Sequence, residues 1–191
     1  NSCVSVTGEL NSTTVLNKFK EELQNLNDYH KSDIRKDHQA VTLNLKSREW
    51  SFDVVPCFKT VQESDGRSYY LIPNGKGRWM KTDPIIDRSC VTEANKNNDG
   101  NLLEVIRLIK IWNKVKNATT IKSYLLETIL VTYGKTNNFC KDGIKRSFIS
   151  ALERIERNIY WPVCDLKGIQ GDINTLDSDD KETLFAKAVT D

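Results

Sequence analysis

Hydrophobic and polar positions follow two different periods in the first half of the chain. Residues 13–26 carry apolar side chains three or four positions apart, which predicts an amphipathic helix. Residues 40–45 alternate apolar and polar side chains and residues 51–58 form a second extended run, so these segments predict an antiparallel hairpin. The apolar residues 69–72 predict a further strand, and residues 73–79, which contain two glycines, predict a turn.

The second half of the chain follows the helical period almost throughout. Segments 101–116, 121–134 and 143–159 place apolar residues at helical spacing, and each predicts one helix. Residues 177–189 begin with acidic side chains, which are typical of a helix start, and predict a further helix. The predicted fold class is therefore α+β, with strands before helices and a domain boundary in the polar stretch 92–100.

The composition suits a globular protein and argues against several other classes. The chain has 191 residues, 38% of them hydrophobic and 28% charged, and its net charge of +2 does not by itself indicate a nucleic-acid-binding protein. No apolar run approaches the roughly 20 residues that span a bilayer. The five cysteines are widely spaced and form no C-x-x-C pair, which argues against a zinc ribbon or a disulfide-rich module and favours a reducing, cytoplasmic setting.

One carboxylate interrupts the apolar strand SFDVVPCF at residues 51–58. Aspartate is depleted in strands, and a buried charge is costly unless another group neutralises it. Asp53 therefore either lies on a solvated face or serves a cation or a reaction. The residues alone leave both interpretations open.

Four segments, in order along the chain, carry a resemblance to a known family. They are SFDVVPCF, YYLIPNGKGRWMKTDP, LLEVIRLIKIWNKVK and KSYLLETIL. Together they resemble the bacterial cGAS/DncV-like nucleotidyltransferases, which make cyclic di- and trinucleotide signals in antiphage defence and belong to the polymerase-beta-like superfamily. The resemblance implies a bilobal nucleotidyltransferase fold, in which a mixed β-sheet core precedes a helical lobe that closes the nucleotide cleft. It assigns residues 1–95 to the C-terminal part of the palm lobe and residues 96–191 to the helical lobe.

The resemblance also implies which residues act. Asp53 matches the third carboxylate of a catalytic triad that holds two Mg²⁺ ions, with Mn²⁺ as an alternative, and these ions stabilise the attacking hydroxyl and the leaving pyrophosphate. Lys110 matches a lysine that reaches the triphosphate, Ser123 a serine on the phosphates, and Tyr124 an aromatic side chain that stacks on the base. The residues alone also allow a solvated helix face for Lys110 and a core position for Tyr124.

The chain departs from the family pattern where the other two carboxylates are expected. The family carries a D-x-D pair after a G-S helix start, whereas residues 1–52 contain three aspartates and no D-x-D pair. Because the first residue is Asn1 and the only methionine is Met80, we expect these motifs upstream in a longer polypeptide. This chain by itself should be inactive, since one acidic ligand cannot organise two magnesium ions.

The resemblance implies nucleoside triphosphates, ATP foremost, as substrates and an effector that senses the cyclic nucleotide as a downstream partner. No membrane and no stable nucleic-acid partner are expected for this cytoplasmic enzyme. Two other functions stay open. One is a catalytically inactive nucleotide-binding or scaffolding module of the same fold, which would lack the upstream motifs, and the other is an RNA-tailing nucleotidyltransferase.

Overall fold

A computed structural model describes residues 10–29, 31–46, 49–115 and 121–183. Contacts within the chain divide it into two units, Asn1–Asp83 and Pro84–Asp191. In the described residues, the strands and one helix belong to the first unit and four long helices belong to the second. The division lies ahead of the boundary expected at residues 92–100, because residues 92–97 form the end of a helix.

The described part of the first unit contains one helix and two antiparallel sheets. Its elements are α1 (Ser12–Asn25), β1 (Asp33–Asp37), β2 (Ala40–Asn44), β3 (Ser51–Val54), β4 (Phe58–Lys59), β5 (Tyr70–Pro73) and β6 (Trp79–Thr82). The first sheet has the order β1-β2-β3, and the second has the order β4-β5-β6. The predicted hairpin is thus confirmed as β2 and β3, and the sheet expected from the resemblance takes the form of two antiparallel sheets in these residues.

Helix α1 packs on one face of the first sheet. Leu16 of α1 is buried together with Ile34, Val41 and Leu43 of the sheet. Val41 and Leu43 are two positions apart on β2, and alternate residues of a strand point to the same side. The alternation seen in the sequence therefore separates an apolar face beneath α1 from a polar face on the other side.

The glycine-rich turn between β5 and β6 anchors the start of α1. The backbone N–H of Ser12 donates to the Gly77 carbonyl oxygen at 3.1 Å, and the Ser12 hydroxyl donates to the Arg78 carbonyl oxygen at 2.7 Å. Gly77 has a φ of +81°, and a Cβ at this position would lie 3.2 Å from the Asn11 side chain. The segment PNGKGRW is therefore a turn, as predicted, and it supports the packing of α1.

The helices of the second unit enclose one apolar core. They are α2 (Pro84–Asn97), α3 (Leu102–Val115), α4 (Ser123–Gly134) and α5 (Ile144–Asn158). Val163 and Leu176, from the segment after α5, complete this core. The buried Asn98 fastens α2 to α4, because its amide donates to the Gly134 carbonyl oxygen at 2.8 Å and accepts from the Phe139 backbone N–H at 3.0 Å.

The helices predicted from apolar periodicity are confirmed within two residues at each end. Helices α1, α3, α4 and α5 correspond to the predicted segments 13–26, 101–116, 121–134 and 143–159. In the segment 177–189, residues 178–183 are helical and residues 184–189 lie outside the described part of the chain. Every helix in the described residues is too short or too polar to cross a bilayer.

Candidate nucleotide and metal sites

Asp53 lies in β3, which is an edge strand among the strands that the structure describes. Its register partner on β2 is Thr42, whose hydroxyl donates to the Asp53 carboxylate at 2.6 Å. The Asp53 side chain is exposed. The strand tolerates the aspartate because its charge stays hydrated and accepts a hydrogen bond.

The face of the first sheet that carries Asp53 is polar. Cross-strand partners share a face, so Thr42, Asn44 and Asp33 lie on the same side of the sheet as Asp53. Asp33 accepts a hydrogen bond from Asn44 at 3.3 Å and one from Arg35, and the Arg35 bond lowers the pKa of Asp33. Asp53 is therefore exposed on the side opposite α1, an accessible position that both a solvated carboxylate and a metal ligand require.

The described residues supply one candidate metal ligand on this face and do not complete a two-ion site. In residues 10–29, 31–46, 49–115 and 121–183, no three His, Cys, Asp or Glu side chains lie close enough together to hold a metal ion. Asp33 and Asp37 of β1 are further carboxylates on the polar face, but Arg35 pairs with Asp33, and the His38 ring nitrogen lies 4.0 Å from Asp37. Mg²⁺ takes oxygen ligands and keeps several positions for water and phosphate, so Asp53 fits it as a single protein ligand.

Ser123 and Tyr124 are the first two residues of α4. Lys122 precedes them in an extended conformation, and its side chain makes no capping hydrogen bond. Ser123 is exposed at this helix start, where backbone N–H groups lack helical partners and the helix dipole is positive. A hydroxyl beside such an end suits a phosphate group.

Lys110 of α3 forms an ion pair with Glu127 of α4, with Nζ 2.5 Å from the carboxylate. The Lys110 side chain is 37% exposed, so it is in contact with solvent as well as with Glu127. Glu127 is four positions after Ser123, and residues at this spacing lie on the same face of a helix. The pair therefore belongs to the face of α4 that carries Ser123.

Tyr124 is half-buried, and its hydroxyl lies among three charged groups. The hydroxyl is 2.9 Å from an Asp87 carboxylate oxygen and 2.7 Å from an Asp165 carboxylate oxygen, and it also contacts the Lys167 ammonium. The Lys167 Nζ lies 4.3 Å from the centroid of the Tyr124 ring. Tyr124 therefore links α2, α4 and the segment after α5 through polar contacts. The alternative of a core position for Tyr124 did not predict these contacts.

Asp165 is the centre of this polar network, and its side chain is fully buried. Burial by itself raises the pKa of Asp165, but hydrogen bonds from Lys167, Tyr124 and the backbone N–H groups of Gln170 and Ile169 outweigh it and lower the pKa to about 2. Burial of the Tyr124 side chain, together with its hydrogen bonds to Asp165 and Asp87, raises the pKa of Tyr124 far above its usual value. At neutral pH the network thus contains a carboxylate and a neutral phenol.

A groove borders Tyr124 at the start of α4. Its lining residues are Lys122, Tyr124, Leu125, Gln170, Asp172, Ile173 and Thr175. The volume of the groove is about 210 Å³. Its walls combine apolar side chains with polar groups from the segment after α5.

Four of the charged residues at these sites were not predicted from the sequence. Asp87 lies on α2, which has little apolar periodicity and was not predicted as a helix. Asp165 and Lys167 lie in an irregular segment whose sequence carries no repeating pattern. Glu127 follows Tyr124 by three positions on a predicted helix, so the i, i+3 spacing was a signal for it.

Comparison with known proteins shows what this chain is similar to. Residues 3–95 match the model of the Second Messenger Oligonucleotide or Dinucleotide Synthetase domain. A probable cyclic nucleotide synthase from Bacillus cereus is 42% identical over 181 residues, which cover 95% of this chain and 54% of that protein. These matches confirm the resemblance to the cGAS/DncV-like nucleotidyltransferases.

A second relative of this chain is less similar to it in sequence. The cyclic AMP-AMP-AMP synthase of an Acinetobacter species is 27% identical over 158 residues, which cover 76% of this chain and 44% of that protein. The chain thus spans about half the length of the curated relatives it matches.

Solved structures with low sequence identity to this chain share its fold. The Elizabethkingia meningoseptica CdnE cyclic dinucleotide synthase has a TM-score of 0.71 at 13% identity and is matched over 94% of this chain and 70% of its own. Escherichia coli MS115-1 CdnC has a TM-score of 0.72 at 12% identity, over 99% of this chain and 66% of its own. At such identities the likeness concerns the fold, and it confirms the α+β nucleotidyltransferase fold.

Proposed function

We propose that the full-length protein containing this chain joins nucleoside triphosphates into a cyclic di- or trinucleotide messenger for antiphage defence. The observation that carries the proposal is the 42% identity to the Bacillus cereus probable cyclic nucleotide synthase across 95% of the chain. The structure supports it with two kinds of chemistry. One is a carboxylate accessible on a rigid strand, and the other is a phosphate-compatible helix start beside a groove.

The start of α4 supports nucleoside triphosphates as substrates, with ATP foremost. Ser123 offers a hydroxyl at the positive end of the helix, and Tyr124 offers an aromatic ring beside the groove. The structure of CdnC contains ATP, and that of CdnE contains GTP and Apcpp. We place the phosphates of the nucleotide next to Ser123 and its base next to Tyr124.

Lys110 is proposed to reach the triphosphate as a point charge. Its ammonium is paired with Glu127, so binding of a phosphate exchanges one anionic partner for another. The pair keeps Lys110 near the face of α4 that carries Ser123. This arrangement keeps a partly buried charge neutralised in both states.

Asp53 is proposed to be one ligand of a divalent ion, Mg²⁺ or Mn²⁺. The described residues do not complete a two-ion site, so we propose that the remaining carboxylates come from another part of the full-length protein. The edge position of β3 supports this, since it pairs only with β2 among the described strands. Phe52, next to Asp53, is 47% exposed, and an additional segment beside β3 would cover it.

We propose a cytoplasmic setting and a cyclic-nucleotide-sensing effector as the downstream partner. Free cysteines support the setting, because Cys57 and Cys164 are exposed thiols and Cys90 and Cys140 are buried ones. Thiols persist in reducing compartments and are oxidised in secreted proteins.

A catalytically inactive nucleotide-binding module is the second candidate. The observation that favours it is the solitary position of Asp53, whose described hydrogen-bond partner is Thr42. An RNA-tailing enzyme is less well supported, since the net charge of +2 provides little attraction for a phosphate backbone.

The direct test incubates the full-length protein with Mg²⁺ and each radiolabelled nucleoside triphosphate, singly and in mixtures. A cyclic product has no terminal phosphate, so we expect radioactivity that survives phosphatase treatment. The absence of such a product from all four nucleotides, together with retained ATP binding, would support the inactive module.

A further inference from the structure

The Tyr124 hydroxyl is held by groups from two other parts of the second unit. Asp87 comes from the first turn of α2, Tyr124 from the first turn of α4, and Asp165 and Lys167 from the segment after α5. All four side chains meet within hydrogen-bonding or ion-pair distance. We propose that Lys167 is a positioning residue, which fixes the orientation of the Tyr124 ring so that it is ready to stack on the base of a bound nucleotide.

This proposal rests on the proposed function, which places the base beside Tyr124. It adds a role for Lys167 and its two carboxylate partners, which contact the tyrosine rather than the nucleotide. The Tyr124 ring is the part that meets the base, and Lys167 acts through it.

The burial of Lys167 is the first observation that supports this role. Its side chain is only 4% exposed, and lysine is among the residues least often buried. The ammonium lies 2.8 Å from Asp165 and 3.2 Å from Asp87, so two carboxylates neutralise it. Such a buried pair contributes little net stability compared with apolar packing, and it is better suited to fixing a geometry.

The geometry at the phenol is the second observation. Lys167 has only hydrogen-bond donors, so the Tyr124 oxygen accepts from it and donates its own proton to Asp165 or Asp87. A hydroxyl that both accepts and donates to fixed partners has a fixed position. The ring can then no longer swing about its side-chain bonds, and its face keeps one direction relative to the groove.

Asp165 connects the ring to a second part of the groove lining. One of its oxygens contacts Tyr124 and Lys167, while the other accepts from the backbone N–H groups of Ile169 and Gln170, each at 3.1 Å. Gln170 and Tyr124 both line the groove. The Lys167–Asp165 pair therefore helps to position both the ring and the loop that carries Gln170.

A ring that is fixed in advance loses less conformational freedom when a base stacks on it. Ordering one side chain on binding weakens affinity by about threefold to tenfold. We therefore expect the Lys167→Met variant to bind nucleotide about threefold to tenfold more weakly, with the loss confined to ligands that have a base.

The experiment measures the affinity of the full-length protein for two probes by calorimetry. One probe is α,β-methylene-ATP, which has a base and resists transfer, and the other is inorganic tripolyphosphate, which has none. We expect Lys167→Met to weaken binding of the first probe and leave the second unchanged. Lys141→Met is the matched control, because Lys141 is exposed in a turn, and it should change neither affinity.

A double-mutant cycle shows whether Lys167 acts through the tyrosine. Tyr124→Ala should weaken binding of the ATP analogue by about tenfold, since stacking is worth about 1–3 kcal/mol. Adding Lys167→Met to that variant should cause no further loss, because there is no ring left to position. A further loss in the double variant, or equal weakening of both probes by Lys167→Met, would assign Lys167 a purely structural role.

Two other outcomes separate the proposals. If Tyr124→Ala binds the ATP analogue as well as the wild type, the proposed base site is wrong and the role of Lys167 falls with it. If Tyr124→Ala weakens binding but Lys167→Met does not, only the role of Lys167 is refuted. Should Lys167→Met fail to fold, Tyr124→Phe provides the test, because it keeps the ring, removes the hydroxyl and should weaken the analogue alone by about threefold.

Discussion

The two candidate sites differ in the number of described contacts that their main side chains make. Asp53 lies on an exposed sheet face with a single hydrogen bond from Thr42, whereas Tyr124 is tied to Asp87, Asp165 and Lys167. The candidate nucleotide site at α4 is thus held by several contacts within its own unit. The carboxylate in β3 belongs to no group of three or more possible metal ligands among the described residues, so a two-ion site depends on groups beyond those described.

This difference indicates which part of the reaction each site serves. A base and a triphosphate are recognised by stacking, by hydroxyl groups and by a cation, and all of these are present in the second unit. Metal-assisted transfer needs several carboxylates, and Asp53 is the one candidate proposed among the described residues of the first unit. Nucleotide binding and turnover should therefore respond separately to substitution at the two sites.

The largest expected effect comes from Asp53→Asn in the full-length protein. An amide has nearly the shape of the carboxylate but not the charge that a hard cation requires, so kcat should fall by about 1,000-fold or more. Binding of the ATP analogue and the thermal unfolding temperature should stay unchanged. Asp28→Asn, at an exposed turn position, is the matched control, and full activity of Asp53→Asn would exclude Asp53 from the metal site.

A second effect concerns the stability of the network and its dependence on pH. The pKa of Asp165 is about 2 in the folded state and 3.8 in the reference state, so its ionised form stabilises the fold above pH 3.8. This stabilisation, about 2 kcal/mol, is lost as the pH falls from about 4 to about 2. Urea unfolding should show a weaker pH dependence in this range for Asp165→Asn than for the wild type.

The control for this measurement is Asp142→Asn, because Asp142 is exposed in the same unit. It should leave the slope of stability against pH unchanged. Equal slopes for Asp165→Asn and the wild type would show that Asp165 is not stabilised by its partners.

The third and smallest expected effect distinguishes the role of Lys110 from that of Glu127. Lys110→Met should raise the KM for ATP by about tenfold, because a charge-assisted hydrogen bond to phosphate is worth about 1.5–3 kcal/mol. Glu127→Gln should not raise KM, since it removes a competitor for the same ammonium. If both variants destabilise the protein and neither changes KM, the pair is structural.

The helical half of the fold follows closely from the sequence because its apolar period is strong. Helices α3 and α4 bury nearly a whole face of leucine, isoleucine and valine, and their bounds differ little from those predicted. Strand β1 reads DIRKD, with only Ile34 buried, and α2 mixes polar and apolar residues. Both depend on packing against neighbours, which a single local period does not reveal.

The candidate sites, like the fold, could be predicted only in part from the sequence. The sequence indicated Asp53 because a charge within an apolar strand is unusual, and the resemblance indicated Lys110, Ser123 and Tyr124. The network around Tyr124 joins residues 37 and 41 positions apart, which only the folded chain brings together. Its lysine and its two aspartates look like ordinary surface charges until burial is known.

The most direct measurement is a crystal structure of the full-length protein with Mg²⁺ and α,β-methylene-ATP. The proposed chemistry predicts an Asp53 carboxylate oxygen about 2.1 Å from a bound ion that also contacts the phosphates. A nucleotide bound at α4 with Asp53 still bonded to Thr42, and no ion in contact with its carboxylate, would contradict it.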